Sequence, residues 1–575
     1  MKQEIAGLLR KALKEKDVDL KEEEILGLLE TPPSPDLGDY SFPCFFLSRK
    51  LKELPHEIAL EIRENIGTPP KDFEDIQTAG GYVNFFLNRK NLAKNLINEI
   101  LKQKDKFGSV NIGKGKKALI EHTSINPNSS PHVGRARNAL IGDSIVRIFS
   151  FLNFRPEVHY YVNNVSKQIA MLVLADADKL KFKDMLKEYM KISKKVENSK
   201  KLEKQVFILL NKFEQGDKET VKKFNKITKT CVRGQEKILS ELGIKYDVFD
   251  YESEYIKKSK KLLLDLKKSK KLHKDRKGRF YLDQKSTLIR KKMKSPVLVL
   301  TRNDGTGLYP LRDIVYTIKK MQTSEKNIVV LGEDQKLYFL QIKEALKILG
   351  IEAPEVVHYS FVLLNEKGKS KKMSTRKGDV VLLEDFLKTA FDKAKKGVAK
   401  RKSKGNPKAI SIAAVKYSIL RNAPNKSILF HLENALKFEG NTGPYILYSY
   451  ARASSILRKS KISILSRGEL RTKRKSKNKS DKTNFQVSDL NKNEINLVKK
   501  LSQFQEVVLN SYKNLNPSLI ANYSYELAQI FNEFYHSCNV IGSEQELFRL
   551  ALVNSFRQVL KNALLLLGID VIERM

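Results

Sequence analysis

Two groups of residues have the types and spacing to handle a nucleotide. His132-Val-Gly-Arg135 stands where a short apolar run and a polar loop hand over to a helical pattern. The first turn of a helix has unpaired N–H groups and a partial positive charge, which suits a triphosphate. His132 can donate a hydrogen bond to phosphate, Arg135 adds a permanent planar cation, and Gly134 leaves room for adenine against the backbone. About 240 residues later, Ser370-Lys-Lys-Met-Ser-Thr-Arg-Lys-Gly-Asp379 makes a polar, basic loop. Lys372, Arg376 and Lys377 on such a loop can close over ATP and neutralise charge as pyrophosphate leaves. Either segment alone is weak in a Lys-rich chain. Both together point to a site for nucleotide phosphates.

The elements that must hold these residues are readable as periodicity. Lys117-Ala-Leu-Ile-Glu-His122 reads as a short strand, residues 124–131 as a loop, 132–151 as a helix and 156–162 as the next strand. The helix has Ala139, Leu140, Ile145, Val146, Ile148 and Phe149 on its apolar face. Strand–helix–strand predicts a parallel βαβ unit, hence an α/β, Rossmann-like parallel-sheet catalytic domain over 111–400. Further strands are expected at 297–302, 328–331 and 355–363, with a helix beginning near Leu383 and a Lys-rich helical insertion near 170–290. Residues 1–110 read as a small α+β domain. In it, 1–29 is an amphipathic helix ended by Thr31-Pro-Pro-Ser-Pro35, 41–66 is largely helical beyond Pro43, and 79–87 is a turn entering a strand. Residues 401–444 read as connector helices and 445–575 as an all-α bundle. Within that bundle, 466–484 is rich in Lys, Arg, Ser and Asn and is expected to be a disordered linker.

At 575 residues the chain exceeds a single core and predicts three or four domains of roughly 100–200 residues each. Its apolar runs fall far short of the ~20 residues a bilayer requires. The N-terminus alternates charge with Leu and Ile, unlike a secretory signal. Cys44, Cys231 and Cys538 have neither zinc spacing nor a disulfide framework, which fits a reducing, cytoplasmic setting. A net charge of +42 has two readings. One is a polyanion partner held through its phosphates; the other is compositional drift in a chain crowded with Lys, Ile, Asn and Phe.

The flanks of the first motif, Glu121-His-Thr-Ser-Ile-Asn-Pro-Asn128 and Arg137-Asn-Ala-Leu-Ile-Gly-Asp143, resemble the arginyl-tRNA synthetase form of the class I H-I-G-H signature. Lys372-Met-Ser-Thr-Arg-Lys-Gly378 resembles that family's variant of the K-M-S-K-S loop. Arg135 stands where a second His is usual, and Thr375 replaces the second Lys, as is usual for arginyl enzymes. The likeness runs from about residue 30 to 575. It implies a class I synthetase that activates L-arginine with ATP and Mg2+ to arginyl-adenylate and transfers it to the 3′ end of its cognate tRNA. It also implies a cytoplasmic monomer. ATP contacts are implied for Pro131, His132, Gly134, Arg135, Met373, Ser374 and Thr375. Charge stabilisation is implied for His132, Arg135, Lys372, Arg376 and Lys377.

Arginine presents a planar cation, so a selective site requires carboxylates in fixed geometry. Asp304-Gly-Thr-Gly-Leu-Tyr-Pro-Leu-Arg-Asp-Ile-Val-Tyr316 resembles the family's arginine-site segment. By that resemblance Tyr309 and Asp313 hold the guanidinium with Glu121 nearby, while Ser124, Asn126 and Gln335 bind the amino and carboxylate groups. Tyr160-Tyr-Val-Asn-Asn-Val-Ser-Lys-Gln-Ile169 departs from the family pattern, with Asn164 and Ser166 replacing the usual Asp and Gly; Gln168 carries over.

Phe438-Glu-Gly-Asn-Thr-Gly-Pro-Tyr-Ile-Leu-Tyr-Ser-Tyr-Ala-Arg452, Phe548-Arg-Leu-Ala-Leu552 and Leu566-Leu-Gly-Ile-Asp-Val-Ile-Glu-Arg-Met575 resemble the family's anticodon-binding bundle. They imply tRNA contacts from Tyr445, Tyr448, Arg452, Arg549 and Met575, the tyrosines by stacking on bases. Gly38-Asp-Tyr-Ser41 and Gly81-Tyr-Val-Asn-Phe-Phe86 resemble the family's N-terminal additional tRNA-binding domain. Two rival readings stand beside this one. Another class I synthetase would need the zinc site of a cysteine enzyme or the large editing domain of an aliphatic one, and neither is in the sequence. A non-catalytic RNA-binding relative would have to keep both phosphate motifs and the carboxylates without using them.

Overall fold

The computed structural model describes residues 2–268, 270–285, 287–366, 369–372, 381–402, 404–460, 462–464, 470–472 and 485–575. The chain divides into two compact units: 1–103 with 456–502 and 533–555, and 104–455 with 503–532 and 556–575.

The first unit contains an antiparallel sheet of β1 (Tyr40–Pro43), β2 (Phe73–Ala79) and β3 (Tyr82–Leu87), in the order β1-β3-β2. Helices Lys2–Lys14 and Pro55–Ile66 bury Ile5, Leu9, Ile58 and Ile62 in one core with Val83 and Phe85. Ahead of the helices that follow Pro43, residues 40–43 form an edge strand, where Pro43 costs no ladder bond. One expectation is corrected. The helix expected over 1–29 is broken into Lys2–Lys14 and Glu22–Leu28, and Asp17 takes φ +57° between them. Within the expected linker, Leu470–Thr472 pairs antiparallel with Ile462–Ile464; the rest of 466–484 lies outside the described residues.

The second unit is built on a parallel sheet that positions the site. Its strands are β4 (Lys117–Glu121), β5 (Arg155–Val162) and β6 (Val248–Tyr251). After a separate antiparallel sheet of β7 (Leu272–Lys274), β8 (Phe280–Asp283) and β9 (Val297–Val299) come β10 (Lys326–Gly332) and β11 (Glu355–Tyr359). The order β11-β10-β4-β5-β6, with every neighbouring pair parallel, is that of a doubly wound α/β sheet. The 170–290 region is therefore not purely a helical insertion. It contains β6, β7 and β8, strands of three or four residues that carry too little periodicity to read. Helices Met185–Glu197, Lys200–Gln215 and Lys218–Ser240 pack there around Tyr189, Phe213, Phe224 and Cys231.

The strand expected over 355–363 is split by Ser360 and Phe361 into β11 and β12 (Val362–Glu366). β12 pairs antiparallel with β13 (Lys369–Lys372) and parallel with β14 (Ile428–Leu429). Arg137 explains the break. Its buried guanidinium donates to the carbonyls of Ser360 (2.8 Å) and Ala423 (2.9 Å), drawing that backbone out of the sheet. Downstream, helices Pro407–Leu420, Gly443–Lys459, Lys492–Ser502, Phe504–Lys513, Ser518–Ser537 and Glu546–Leu566 bear out the helical periodicity. No helix among the described residues is long and apolar enough to cross a membrane.

Helix Val133–Phe151 lies between β4 and β5, and it approaches β4 at Gly142. A Cβ there would stand 2.2 Å from Cγ and 2.4 Å from Cβ of buried His122. Alanine would gain about 1 kcal/mol of helix propensity, but overpacking against a fixed Cβ costs about 1–3 kcal/mol. Gly142→Ala should therefore lower the apparent Tm in a thermal circular-dichroism melt; an unchanged or raised Tm would show that helix and strand are not closely packed here.

Candidate active site at the sheet switch point

β4 and β10 are neighbours, but the chain leaves them toward opposite sides of the sheet. In such sheets ligands sit in the crevice beyond the carboxyl ends of those two strands. Glu121 ends β4, Gly332 ends β10, and His132 begins the following helix at that edge. A cleft there is lined by His132, Gly134, Arg135, Gly332, Asp334, Tyr359, Phe361 and Val362. Buried Pro131 and Val133 fix its floor: Leu383 N–H donates to Pro131 O (2.8 Å) and Val133 N–H to Val381 O (3.0 Å). On the other side, Lys372 at the end of β13 pairs with Leu363. The C-terminal described flank of the second motif is thus tied to the first, and its N-terminal flank to β12. Met373, Ser374, Thr375, Arg376 and Lys377 themselves, and the Lys372 side chain, lie outside the described residues.

The loop joining β4 to the helix is held from several elements. Thr123 and Ser124 both take left-handed conformations, φ +77° and +41°, costing about 1–3 kcal/mol each. Asn138 accepts from Thr123 N–H (2.6 Å) and donates to Val330 O of β10 (2.9 Å). Ile125 N–H donates to the Tyr160 hydroxyl (3.2 Å), which donates to Gln235 Oε1 (2.8 Å). Gln235 Nε2 in turn donates to the carbonyls of Asn126 (3.0 Å) and Ser129 (2.9 Å). Ser124 and Asn126 are left partly exposed on this clamped loop.

The arginine-site candidates converge on one helix. Tyr309 is the first residue of helix Tyr309–Thr323 and is half-exposed; Asp313 follows one turn later. Asp313 accepts from the Tyr338 hydroxyl (2.8 Å), and the Tyr309 and Tyr338 rings lie 4.7 Å apart. Burial raises the Asp313 carboxyl above the usual carboxylate range, Lys320 opposes that shift, and Glu121 adds to it. Glu121 is itself buried, bonded to Lys320 Nζ and approached by Ser124 Oγ (3.5 Å). Gln335 is exposed at the turn after β10.

Both departures in 160–169 have local partners. Asn164 clamps Ser253, accepting from its N–H (3.0 Å) and donating to its Oγ (2.9 Å). Ser166 caps helix Lys167–Leu174 through Ile169 N–H. Gln168 Oε1 and Asn163 Oδ1 are buried acceptors with no donor among the described residues. Of the residues implied for tRNA, Tyr445 and Arg452 both bond Asn532 (2.9 and 2.6 Å), and Tyr448 is exposed beneath the Arg452 guanidinium. Arg549 is engaged by buried Glu494 (2.8 Å) and the Asn539 carbonyl (2.8 Å). Met575 is partly exposed.

Sequence reading passed over Asn138, Gln235, Lys320, Asp334 and Tyr338. Asp334 had a signal, since it follows a Gly at the carboxyl end of an apolar strand. The others act through partners distant in sequence, which spacing does not reveal.

The fold and this site define a class I aminoacyl-tRNA synthetase. Residues 96–428 match the tRNA synthetases class I (R) catalytic domain, 3–87 the arginyl tRNA synthetase N-terminal domain and 446–575 the DALR anticodon-binding domain. The chain is 33% identical to an arginine–tRNA ligase of Clostridium perfringens, covering 97% of this chain and 98% of that one. It is 35% identical to one of Methanocaldococcus jannaschii, covering 97% and 96%. Thermus thermophilus arginyl-tRNA synthetase shares its fold with a TM-score of 0.78 at 24% identity over the full length of both chains. The Plasmodium falciparum enzyme gives 0.77 at 22% identity, covering 100% of this chain and 99% of that one. The chain belongs to the arginyl-tRNA synthetase family.

His122 and His132 give the unit a pH signature. Burial depresses His122 to about 3, and burial with the nearby Arg135 cation depresses His132 to about 4. The unfolded chain takes up these protons near pH 6.5. Between that value and about 4 the unfolded state binds more protons than the folded one, so stability falls as pH falls through this window. Circular dichroism at decreasing pH should show this loss beginning below about 6.5, and a His122→Asn, His132→Asn variant should lose less of its stability over the same interval. An equal loss in both proteins would show that neither imidazole is held neutral.

Proposed function

We propose that this chain activates L-arginine with ATP and transfers it to the 3′ end of an arginine tRNA, using the switch-point site. The observation that carries the residue assignment is the meeting, in one unit, of a phosphate-type cleft at a helix start with a helix presenting Tyr309 and partly buried Asp313.

ATP occupies the cleft, its phosphates facing the helix N-terminus, His132 and Arg135. A neutral imidazole at His132 donates one hydrogen bond without contributing charge, so Arg135 and the helix terminus carry the electrostatic part. Gly134, Gly332 and Asp334 take the adenosine end, Asp334 accepting from ribose hydroxyls. Mg2+ arrives on the triphosphate. The guanidinium pairs with Asp313 against the Tyr309 hydroxyl, with Glu121 behind them. Ser124, Asn126 and Gln335 orient the amino and carboxylate groups, and Gln168 offers a further acceptor.

The arginine carboxylate then attacks the α-phosphorus as the bond to pyrophosphate breaks. Lys372, Arg376 and Lys377, with Met373, Ser374 and Thr375 against the nucleotide, close over the leaving charge. In the second step a hydroxyl of the terminal ribose attacks the acyl carbon and AMP leaves. Rate enhancement comes from positioning and charge stabilisation, with no covalent enzyme intermediate. Tyr445, Tyr448, Arg452 and Met575 contact tRNA; Arg549 contributes through the packing it secures around Glu494. The protein acts as a cytoplasmic monomer.

The test is charging of total tRNA with radiolabelled arginine and MgATP. Truncating one partner of a desolvated charge pair costs about 2–5 kcal/mol, so Asp313→Ala should lower kcat/KM for arginine by about 30- to 4,000-fold. Affinity for tRNA in a filter-binding assay should be retained. Charging at the normal rate would show that the guanidinium binds elsewhere.

A further inference from the structure

The helix that begins at His132 is also gripped at its far half, by the end of the chain. Residues 556–575 fall in the same compact unit as 104–455. Where the last helix ends, Ser144 Oγ donates to Leu566 O (2.7 Å) and Lys416 Nζ donates to Gly568 O (2.5 Å). Lys416 lies on helix Pro407–Leu420 and is 1% exposed. Its ammonium is 3.9 Å from Asp143 Oδ2, the atom that accepts from Arg147 Nε (2.9 Å). Burial lowers the Lys416 pKa to about 8, Asp143 and Asp570 oppose the fall, and the side chain is charged at neutral pH. Two cations and two carboxylates therefore gather where three segments meet: the His132 helix, helix Pro407–Leu420 and the turn at Gly568.

Burying an ammonium is unfavourable, and well-packed apolar side chains would join two helices at least as firmly. The turn explains its use. Gly568 takes φ +66°, and a Cβ there would stand 2.6 Å from Lys416 Nζ and 2.7 Å from Asp143 Oδ2. No side chain fits, and the Gly568 N–H is taken by Leu565 O (3.0 Å). The turn is left its carbonyl as a handle, and Lys416 brings a donor long enough to reach it.

We infer that Lys416 is a positioning residue for the charging reaction: it fastens the C-terminal turn to the helix that begins at His132, and so sets where His132 and Arg135 stand against the nucleotide. The inference rests on the proposed function and adds to it a residue that touches no substrate. Asp143 is eleven residues beyond His132, about 16 Å along a helix that rises 1.5 Å per residue. Lys416 therefore acts through the helix as a rigid rod. The near end of that rod lines the nucleotide cleft with His132, Gly134 and Arg135. Tyr309 and Asp313 stand on a separate helix. A shift of the rod is thus felt at the phosphates rather than in the grip on the arginine side chain.

The test is the charging assay at saturating ATP and tRNA with arginine varied, on Lys416→Met and on Gly568→Ala. Lys416→Met keeps the aliphatic stem and removes the ammonium. Gly568→Ala keeps the lysine and pushes its ammonium off the carbonyl. A misplacement of about 1 Å made far from the chemistry can cost about 100-fold in rate, so each variant should lower kcat by about 10- to 100-fold. KM for arginine should stay within about twofold, the tolerance of independent sites. Melts are recorded beside the kinetics and kcat is referred to folded protein. Should Lys416→Met not fold, Gly568→Ala, which leaves every buried charge in place, carries the test. A folded variant with the unsubstituted kcat would overturn the inference. So would an arginine KM raised as much as kcat is lowered, which marks a general loosening of the unit. A loss seen only below saturating tRNA would overturn it too, since Lys416 would then serve tRNA binding alone. Failure of the proposed function is distinguishable, because the unsubstituted protein would then charge no arginine.

Discussion

A single buried amide holds the two halves of the sheet in the relation that the site requires. Asn138 lies on the first helix after β4 and is 4% exposed. One end of its side chain accepts from Thr123 N–H at the exit of β4, and the other donates to Val330 O in β10. That spans the switch point, where two parallel strands lie side by side while their connections diverge. Without Asn138 the Thr123 N–H would be buried unpaired, a cost of about 1–3 kcal/mol, and the two successive left-handed residues would lose the contact that maintains them. The positions of Ser124, Asn126 and the His132 helix start follow from this turn. Tyr160 and Gln235 then hold the rest of the loop, so the N-terminal end of the helix is fixed by packing within the protein.

Arg137 does comparable work for the opposite wall. It is completely buried, and among the described residues no carboxylate pairs with it; backbone carbonyls of Ser360 and Ala423 accept from its two terminal nitrogens, while its Nε has no partner there. Burial lowers its pKa to about 10, which still leaves it charged at neutral pH. A buried cation satisfied by carbonyls constrains backbone rather than side chains, and here it separates β11 from β12. That break turns Phe361 and Val362 into the cleft. Adjacent helix residues, Arg137 and Asn138, thus position opposite sides of one cleft, although neither lines it.

The sequence revealed what rests on short-range regularity. The β4–helix–β5 unit and the helix start at His132 were legible because each depends on neighbours within a few turns; Tyr309 and Asp313 were reached only through the family resemblance. Partnerships across long separations were not. Gln235 reaches Asn126 over 109 residues and Lys320 reaches Glu121 over 199, and nothing in local spacing encodes either. The same limit hid the local partners of Asn164 and Ser166, the two departures from the family pattern. In the structure Ser166 is a helix cap of ordinary type, and Asn164 uses both ends of its amide on Ser253. Arg549, for which the resemblance of 548–552 implies a tRNA contact, is engaged within the protein by Glu494 and the Asn539 carbonyl, partners that local spacing does not reveal.

The net charge of +42 can now be weighed against the site. In so basic a chain cations are abundant, and an acid becomes useful to a cationic substrate only if the protein keeps its own cations away from it. Helix Tyr309–Thr323 does this by sorting. Arg312 is turned into a buried cluster with Glu252 (2.6 Å) and Glu214 (3.7 Å), where burial raises Glu252 to about 7 against the pull of Arg312. Lys319 goes to Asp250 (2.9 Å), which also accepts from His159 (2.5 Å). Lys320 goes to Glu121. Three successive basic positions on one helix are each directed to a dedicated carboxylate, and Asp313 between them bonds the neutral hydroxyl of Tyr338 instead. In the proposed arginine site, selectivity for a guanidinium rests on how these resident charges are partitioned as well as on the shape of the pocket.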